Sequence, residues 1–311
     1  METDNRTSVS EFILLGISAQ QDWNTLFFII FLIMYIITMM GNLTIFLAIK
    51  LDGHLRHTPM YFFLSNLSMV DICFTTTTIP KMLADTFSGM RKISYGGCLA
   101  QMYFFIASGM TDNMLLATMA LDRYVAICWP LRYAIVMKSR TCLLLVTVCW
   151  LASHLHSLLH TILVSRLSFC ASNQVPHLFC DVFPLLKISC SNTELNTLVV
   201  HTEGALMVNG ALMLIVFSYA RILMAVLRVP SAEGKRKAFS TCSSHLTVVA
   251  LFYGTVTWVY FQPSASFSPE KDAVAAIMYS MITPMLNPFI YTLRNDKMKK
   301  ALRKLFGKKV N

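Results

Sequence analysis

Charge is what this chain has least of. Asp, Glu, Lys and Arg make up only 14% of its 311 residues, where a soluble domain carries about 25%. Hydrophobic residues reach 55%, and the mean hydropathy is +0.57. Most of such a chain cannot face water, so lipid is the implied solvent. In lipid the backbone must pair internally, which leaves helices or a closed barrel. Apolar runs near 20 residues favour helices, because a barrel strand needs only about 10 alternating residues. No HExxH, paired-carboxylate or nucleophile motif stands in a workable setting, which argues against a membrane enzyme. Repeated halves, matched broken helices and a polar pore-lining stripe are also missing, which argues against a channel or transporter.

What is present is a series of seven apolar runs, near 24–49, 59–84, 98–128, 141–164, 196–227, 238–261 and 272–293. They predict an all-α, seven-transmembrane bundle in one domain, 1–311. Residues 1–23 would form an extracellular N-terminus, 24–293 the bundle and 294–311 a cytoplasmic tail. The start METDNRTSVSEF is too acidic, and the first run too long, for a cleaved signal peptide. With the N-terminus outside, the cytoplasmic side holds 19 of the 26 Lys and Arg, including Lys235-Arg236-Lys237 and the tail from Lys297 to Lys309. That is the distribution the positive-inside rule demands. The net charge of +10 therefore marks topology, and no nucleic-acid partner is expected.

The tail places Leu293, Met298, Ala301, Leu302 and Leu305 near one helical face, with Lys297, Lys299, Lys300 and Lys304 around them. This predicts a short amphipathic eighth helix on the anionic inner leaflet, with membrane lipid as its partner. Cys98, Cys170, Cys180 and Cys190 fall on the outer side, where two disulfides can form in any of three pairings. Asn5-Arg6-Thr7 is a glycosylation sequon there. Asn42-Leu43-Thr44 and Asn66-Leu67-Ser68 lie within spans and are set aside.

Several ordered blocks carry a resemblance. They are Gly41-Asn42, Pro59-Met60-Tyr61-Phe62, Met119-Ala-Leu-Asp-Arg-Tyr-Val-Ala-Ile-Cys128 and Ser218-Tyr219. Lys237-Ala-Phe-Ser-Thr-Cys-Ser-Ser-His-Leu246 and Pro284-Met-Leu-Asn-Pro-Phe-Ile-Tyr291 complete the set. Together they resemble the tetrapod-type odorant receptors, a group of rhodopsin-like G-protein-coupled receptors. Two positions depart from that family: Leu121 stands where Tyr is usual, and Arg132 where His is usual. Both lie near the cytoplasmic surface.

The resemblance implies a plasma-membrane receptor for a small, mostly hydrophobic, volatile ligand, coupled to a stimulatory olfactory-type heterotrimeric G protein and cyclic AMP. It implies a Cys98–Cys180 disulfide, which leaves Cys170 with Cys190. It also implies a switch in which Asp122 holds Arg123 at rest and Arg123 turns toward Tyr219 on activation. Tyr124 flanks this pair, and Asn287, Pro288 and Tyr291 would join the rearrangement. Helix geometry agrees with the placement. Cys98 to Arg123 spans about 37 Å, enough to cross a hydrocarbon core of about 30 Å. Pro288 removes a helical hydrogen bond and favours a kink.

Acids inside a span are functional hypotheses by default. The resemblance gathers Asp71, Asp112 and Asn287 at the bundle centre, where a sodium ion would neutralise the acids; no other cofactor is expected. The implied ligand pocket takes Phe104, Phe105, Ile106, Gly109 and Met110 from helix three, and Glu203 and Met207 from helix five. Val256 and Tyr260 come from helix six, and Ile277 and Ser280 from helix seven. Helix seven has no interior Lys for a retinal Schiff base, and outer helix three has no Asp for an amine. His156 and His160 are four residues apart on one helix face but lack a third ligand, so no transition-metal site is expected. The loop motif His177-Leu-Phe-Cys180-Asp181 loses its thiolate if Cys180 is in a disulfide.

Overall fold

The computed structural model describes residues 9–15, 21–170, 173–260, 277–293 and 295–307. Among the described residues, seven long helices form the body. We label them α1 (Gln21–Leu51), α2 (Pro59–Ser88), α3 (Tyr95–Cys128), α4 (Ser139–Ser165) and α5 (Glu194–Leu227). After them come α6 (Ala232–Tyr260) and α7, a π-helical turn Met278–Ile282 running into Thr283–Leu293. An eighth helix, α8 (Asp296–Leu305), follows. Each falls on one of the seven apolar runs or on the amphipathic tail. Among the described residues, α1 to α5 are each long and apolar enough to cross a membrane.

Helix ends follow local chemistry. The first residue of α2 is Pro59, where the missing N–H costs nothing. Its C-terminus closes on Gly89 at φ 68°, a left-handed conformation that suits glycine. Ser94 caps α3 by accepting from the Gly97 amide. The side chain of Asn295 caps α8 by accepting from the Met298 amide, and also accepts from the Tyr61 hydroxyl at 2.9 Å.

Packing places α3 at the centre, against α2, α4, α5 and α6, while α1 lies against α2 and α7. The main core lines the half of the bundle nearer α8, from Ile45 and Leu64 through Leu115, Leu116 and Ala120 to Val248 and Tyr291. Met298 and Ala301 of α8 are buried in it. Outward faces are apolar as well: Ile33 is 50% exposed, Leu155 66% and Met213 71%. In water that surface would be a liability; against lipid chains it costs nothing.

The end of the bundle where α3 begins carries a small sheet absent from the sequence reading. Strands β1 (Glu11–Leu14), β2 (Lys92–Ser94) and β3 (Gln174–Val175) order as β2-β1-β3. β1 is antiparallel to β2, with Phe12 opposite Ile93, and parallel to β3. Phe12 is fully buried, edge-on to Phe169 at 5.1 Å between ring centroids. The N-terminal segment is thus pinned onto the long loop between α4 and α5. Asn5 and the side chain of Tyr260 lie outside the described residues, as do residues 272–276 of the seventh run.

Candidate functional site

Two disulfides order the end of the bundle that carries the sheet: Cys98–Cys180 and Cys170–Cys190. The first ties the loop to the start of α3. Gln101 reinforces it one turn further in. Its side-chain oxygen accepts from the Cys180 amide at 2.9 Å, while its nitrogen donates to the Thr77 carbonyl of α2 at 3.1 Å. The loop motif is used structurally: the Nδ1 of His177 lies 2.9 Å from the Phe179 carbonyl, and Asp181 caps a short helix, Val182–Ile188. Burial raises the pKa of the Asp181 carboxyl from its ordinary value, while the neighbouring His177 and the hydrogen bond from the Val182 amide act the other way.

Beneath the loop lies an aromatic cluster. Phe105 of α3 stacks on Phe74 of α2 at 4.9 Å, meets Phe179 of the loop at 4.6 Å, and stands edge-on to Tyr279 of α7 at 5.6 Å. Ile106 and Ile277 pack against the same group. Gly109 sits where a Cβ would touch the Phe74 ring at 3.5 Å. Met110 and Ser280 are buried; Met207 and Val256 are half-buried. Phe104 departs from its expected place. It is 53% exposed, because each helical residue is turned by about 100° from the last and Phe105 takes the inward direction. Phe74, Phe179 and Tyr279 were missed by sequence reasoning. Aromatic residues at helical spacing look the same whether they pack a core or line a pocket.

Glu203 sits elsewhere, on the π-helical turn Val200–Gly204 of α5. Both its carboxylate oxygens lie 2.8 Å from the Nδ1 of His156, and one lies 3.3 Å from the Nε2 of His160. The third polar partner that the histidine pair lacked in sequence is therefore present in space.

At the bundle centre, Asn287 of α7 donates to both oxygens of Asp71, at 3.2 and 2.9 Å. Asp71 and Asp112 are 1% and 3% exposed. One oxygen of Asp112 and the side-chain oxygen of Asn287 are buried without a hydrogen-bond partner among the described residues. Tyr253 of α6 donates to the Asn113 side chain at 2.5 Å, joining α6 to α3 close by.

The end of the bundle where α3 closes holds the expected switch residues. Arg123 Nε stands 4.0 Å from Asp122, a loose ion pair. The tighter partner of Asp122 is the Tyr133 hydroxyl, donating at 2.8 Å from the loop after α3. The Tyr124 hydroxyl accepts from the Trp129 indole at 3.2 Å. Tyr219 of α5 lies 2.8 Å from the Nδ1 of His245 on α6, and the Nε2 of His245 lies 3.0 Å from the Leu116 carbonyl of α3. A carbonyl only accepts, so Nε2 carries the proton; in the neutral ring Nδ1 then accepts from Tyr219. His245 thus joins three helices, and only its place in the sixth-helix block hinted at it. Tyr291 is buried, and its hydroxyl has no hydrogen-bond partner among the described residues. Of the two departures, Leu121 packs against the main core, and Arg132 lies over the Trp129 ring at 5.5 Å.

An olfactory receptor profile matches residues 31–309. Olfactory receptor 1f45 of Rattus norvegicus is 55% identical over 307 residues, covering 99% of this chain and 98% of the relative. Human olfactory receptor 1L6 is 56% identical over 306 residues, covering 98% and 88%. Among solved structures, squid rhodopsin superposes with a TM-score of 0.72 at 18% identity, covering 93% of this chain and 87% of that one. That likeness establishes the rhodopsin-like fold.

Proposed function

The chain belongs to the olfactory receptor family, non-enzymatic multi-pass membrane receptors, and we propose that it binds a small, mostly hydrophobic, volatile ligand in the outer half of its bundle. The N-terminus faces outward at the plasma membrane and the basic tail faces the cytoplasm, with α8 on the inner leaflet. Ligand binding favours the arrangement that engages a stimulatory olfactory-type G protein and raises cyclic AMP. A ligand shifts that equilibrium only by its differential affinity for the two arrangements.

The observation that carries this reading is the Phe74, Phe105, Phe179 and Tyr279 cluster under a disulfide-tied loop, with Phe105 on the same helix that carries Arg123. Apolar side chains with few polar groups suit a small organic ligand, and α3 runs unbroken from that cluster to the inner rim. At the centre, a sodium ion between Asp71, Asp112 and Asn287 would satisfy the two unpartnered oxygens and offset two buried acids.

The test is a panel of volatile compounds applied to cells expressing the full chain, read as cyclic AMP. At least one compound should give a saturable response that Arg123→Ala abolishes while surface expression is kept. A response that survives this substitution would remove Arg123 from the coupling role. Normal surface expression with no response to any compound class would count against the ligand assignment.

A further inference from the structure

We propose that His156, His160 and Glu203 form a binding site for one divalent transition-metal ion of the zinc class, between α4 and α5. The three ligand atoms lie within 4.8 Å of one another. The histidines are one helical turn apart on α4, a spacing that puts both rings on one face. Their rings meet edge-on with centroids 4.5 Å apart.

Both histidine–carboxylate distances are close to those of a tetrahedral ion. Ligand bonds of about 2.0–2.1 Å at tetrahedral angles separate neighbouring donor atoms by about 3.3 Å. His160 Nε2 and Glu203 already stand at 3.3 Å. His156 Nδ1 and Glu203 stand at 2.8 Å, a hydrogen-bond length, and must open by about 0.5 Å to accept an ion.

The setting favours an ion as well. Both histidine side chains are nearly buried, at 6% and 5% exposed, while Glu203 is 35% exposed and gives an entry path. Glu203 is carried on a π-helical turn, an irregularity that often marks functional positions in helices. Two imidazoles and one carboxylate are the donors of open zinc sites, which keep a fourth position for water or another donor. The same mix disfavours calcium and magnesium, which take oxygen ligands. This site is separate from the aromatic cluster, so it does not rest on the ligand reading above.

The experiment uses the full-length receptor in lipid nanodiscs, stripped by a chelator and titrated with Zn2+ against a fluorescent competitor. One ion should bind per receptor. His160→Gln and Glu203→Gln should each weaken it at least tenfold, and His154→Gln, whose ring bonds Tyr103 outside the cluster, should leave it unchanged. Should those variants fail to fold, two wild-type measurements decide. Co2+ should give the visible absorption of a low-coordinate site, and Zn2+ should protect His156 and His160 from diethylpyrocarbonate, mapped by mass spectrometry. Absence of saturable Zn2+ binding to the folded receptor overturns the proposal, as does an ion retained by both ligand variants or unchanged labelling of the two histidines.

Discussion

Asn42 donates its side-chain amide to the carbonyl of Pro284, at 3.1 Å, across the α1–α7 contact. That carbonyl is the acceptor that an amide at position 288 would have used, and Pro288 has none. The Gly41-Asn42 block therefore does two things for α7: Asn42 replaces the missing hydrogen bond, and Gly41 lets the Pro288 ring approach. A Cβ on Gly41 would stand 3.0 Å from both Cβ and Cγ of Pro288.

Substituting this pair should destabilise the receptor even though neither residue faces the aromatic cluster. Asn42→Leu strands a buried carbonyl, which costs about 1–3 kcal/mol. Gly41→Ala overpacks the contact, at about 1–3 kcal/mol. Melting curves of the purified receptor should show a lower midpoint for both, and an unchanged midpoint would mean α7 relaxes freely around Pro288.

Tyr133 is the closest polar partner of Asp122, so it should govern basal signalling. Tyr133→Phe removes the 2.8 Å hydrogen bond and leaves Asp122, among the described residues, its loose contact with Arg123. Ligand-independent cyclic AMP, normalised to surface expression, is expected to rise. Unchanged basal output would assign Tyr133 to loop stability alone.

Tyr219 and His245 should act as a unit. In a double-mutant cycle of Tyr219→Phe and His245→Phe, melting data should give a coupling of about 1 kcal/mol, since either change alone breaks the same hydrogen bond. Additive effects would show that the two rings contribute by packing only.

The outer loop should depend on pH through Asp181. Its folded carboxyl titrates above its unfolded value because burial disfavours the charge. The folded state therefore binds more protons across that window, and stability falls as pH rises through the raised pKa. Asp181→Asn keeps the helix cap and removes the charge. It should flatten this slope and raise the melting midpoint above the window, while an unaltered slope would place the titration elsewhere.

Cys98→Ser should cost more than the loss of a local contact. The Cys98–Cys180 bridge closes 82 residues of chain, and cross-links of that length restrict the unfolded chain by about 4–5 kcal/mol. Surface expression should fall sharply, and the Cys170–Cys190 bridge should not compensate, because it spans only 20 residues within the loop. Near-normal expression of Cys98→Ser would show that Gln101 and the β1–β3 sheet hold the loop without it.

Composition and run length sufficed for the seven-helix bundle, because apolar length and the lack of charge act locally along the chain. The ordered blocks sufficed for the family, and the tail pattern for α8. Contacts between distant segments were beyond reach of either. Phe104 and Phe105 are indistinguishable in sequence, and only the rotation of α3 in the bundle turned one outward and the other into the aromatic cluster. Phe12 reads as part of a polar tail until β1 pairs with β2 and β3. His156 and His160 announced a shared face but not its occupant. The packing of α4 against the π-helical turn of α5 brought Glu203, more than forty residues away in the chain, within 2.8 Å of His156. Periodicity fixes which way a side chain points on its own helix, while its partner depends on how two helices are rotated against each other, and that is set by the whole bundle.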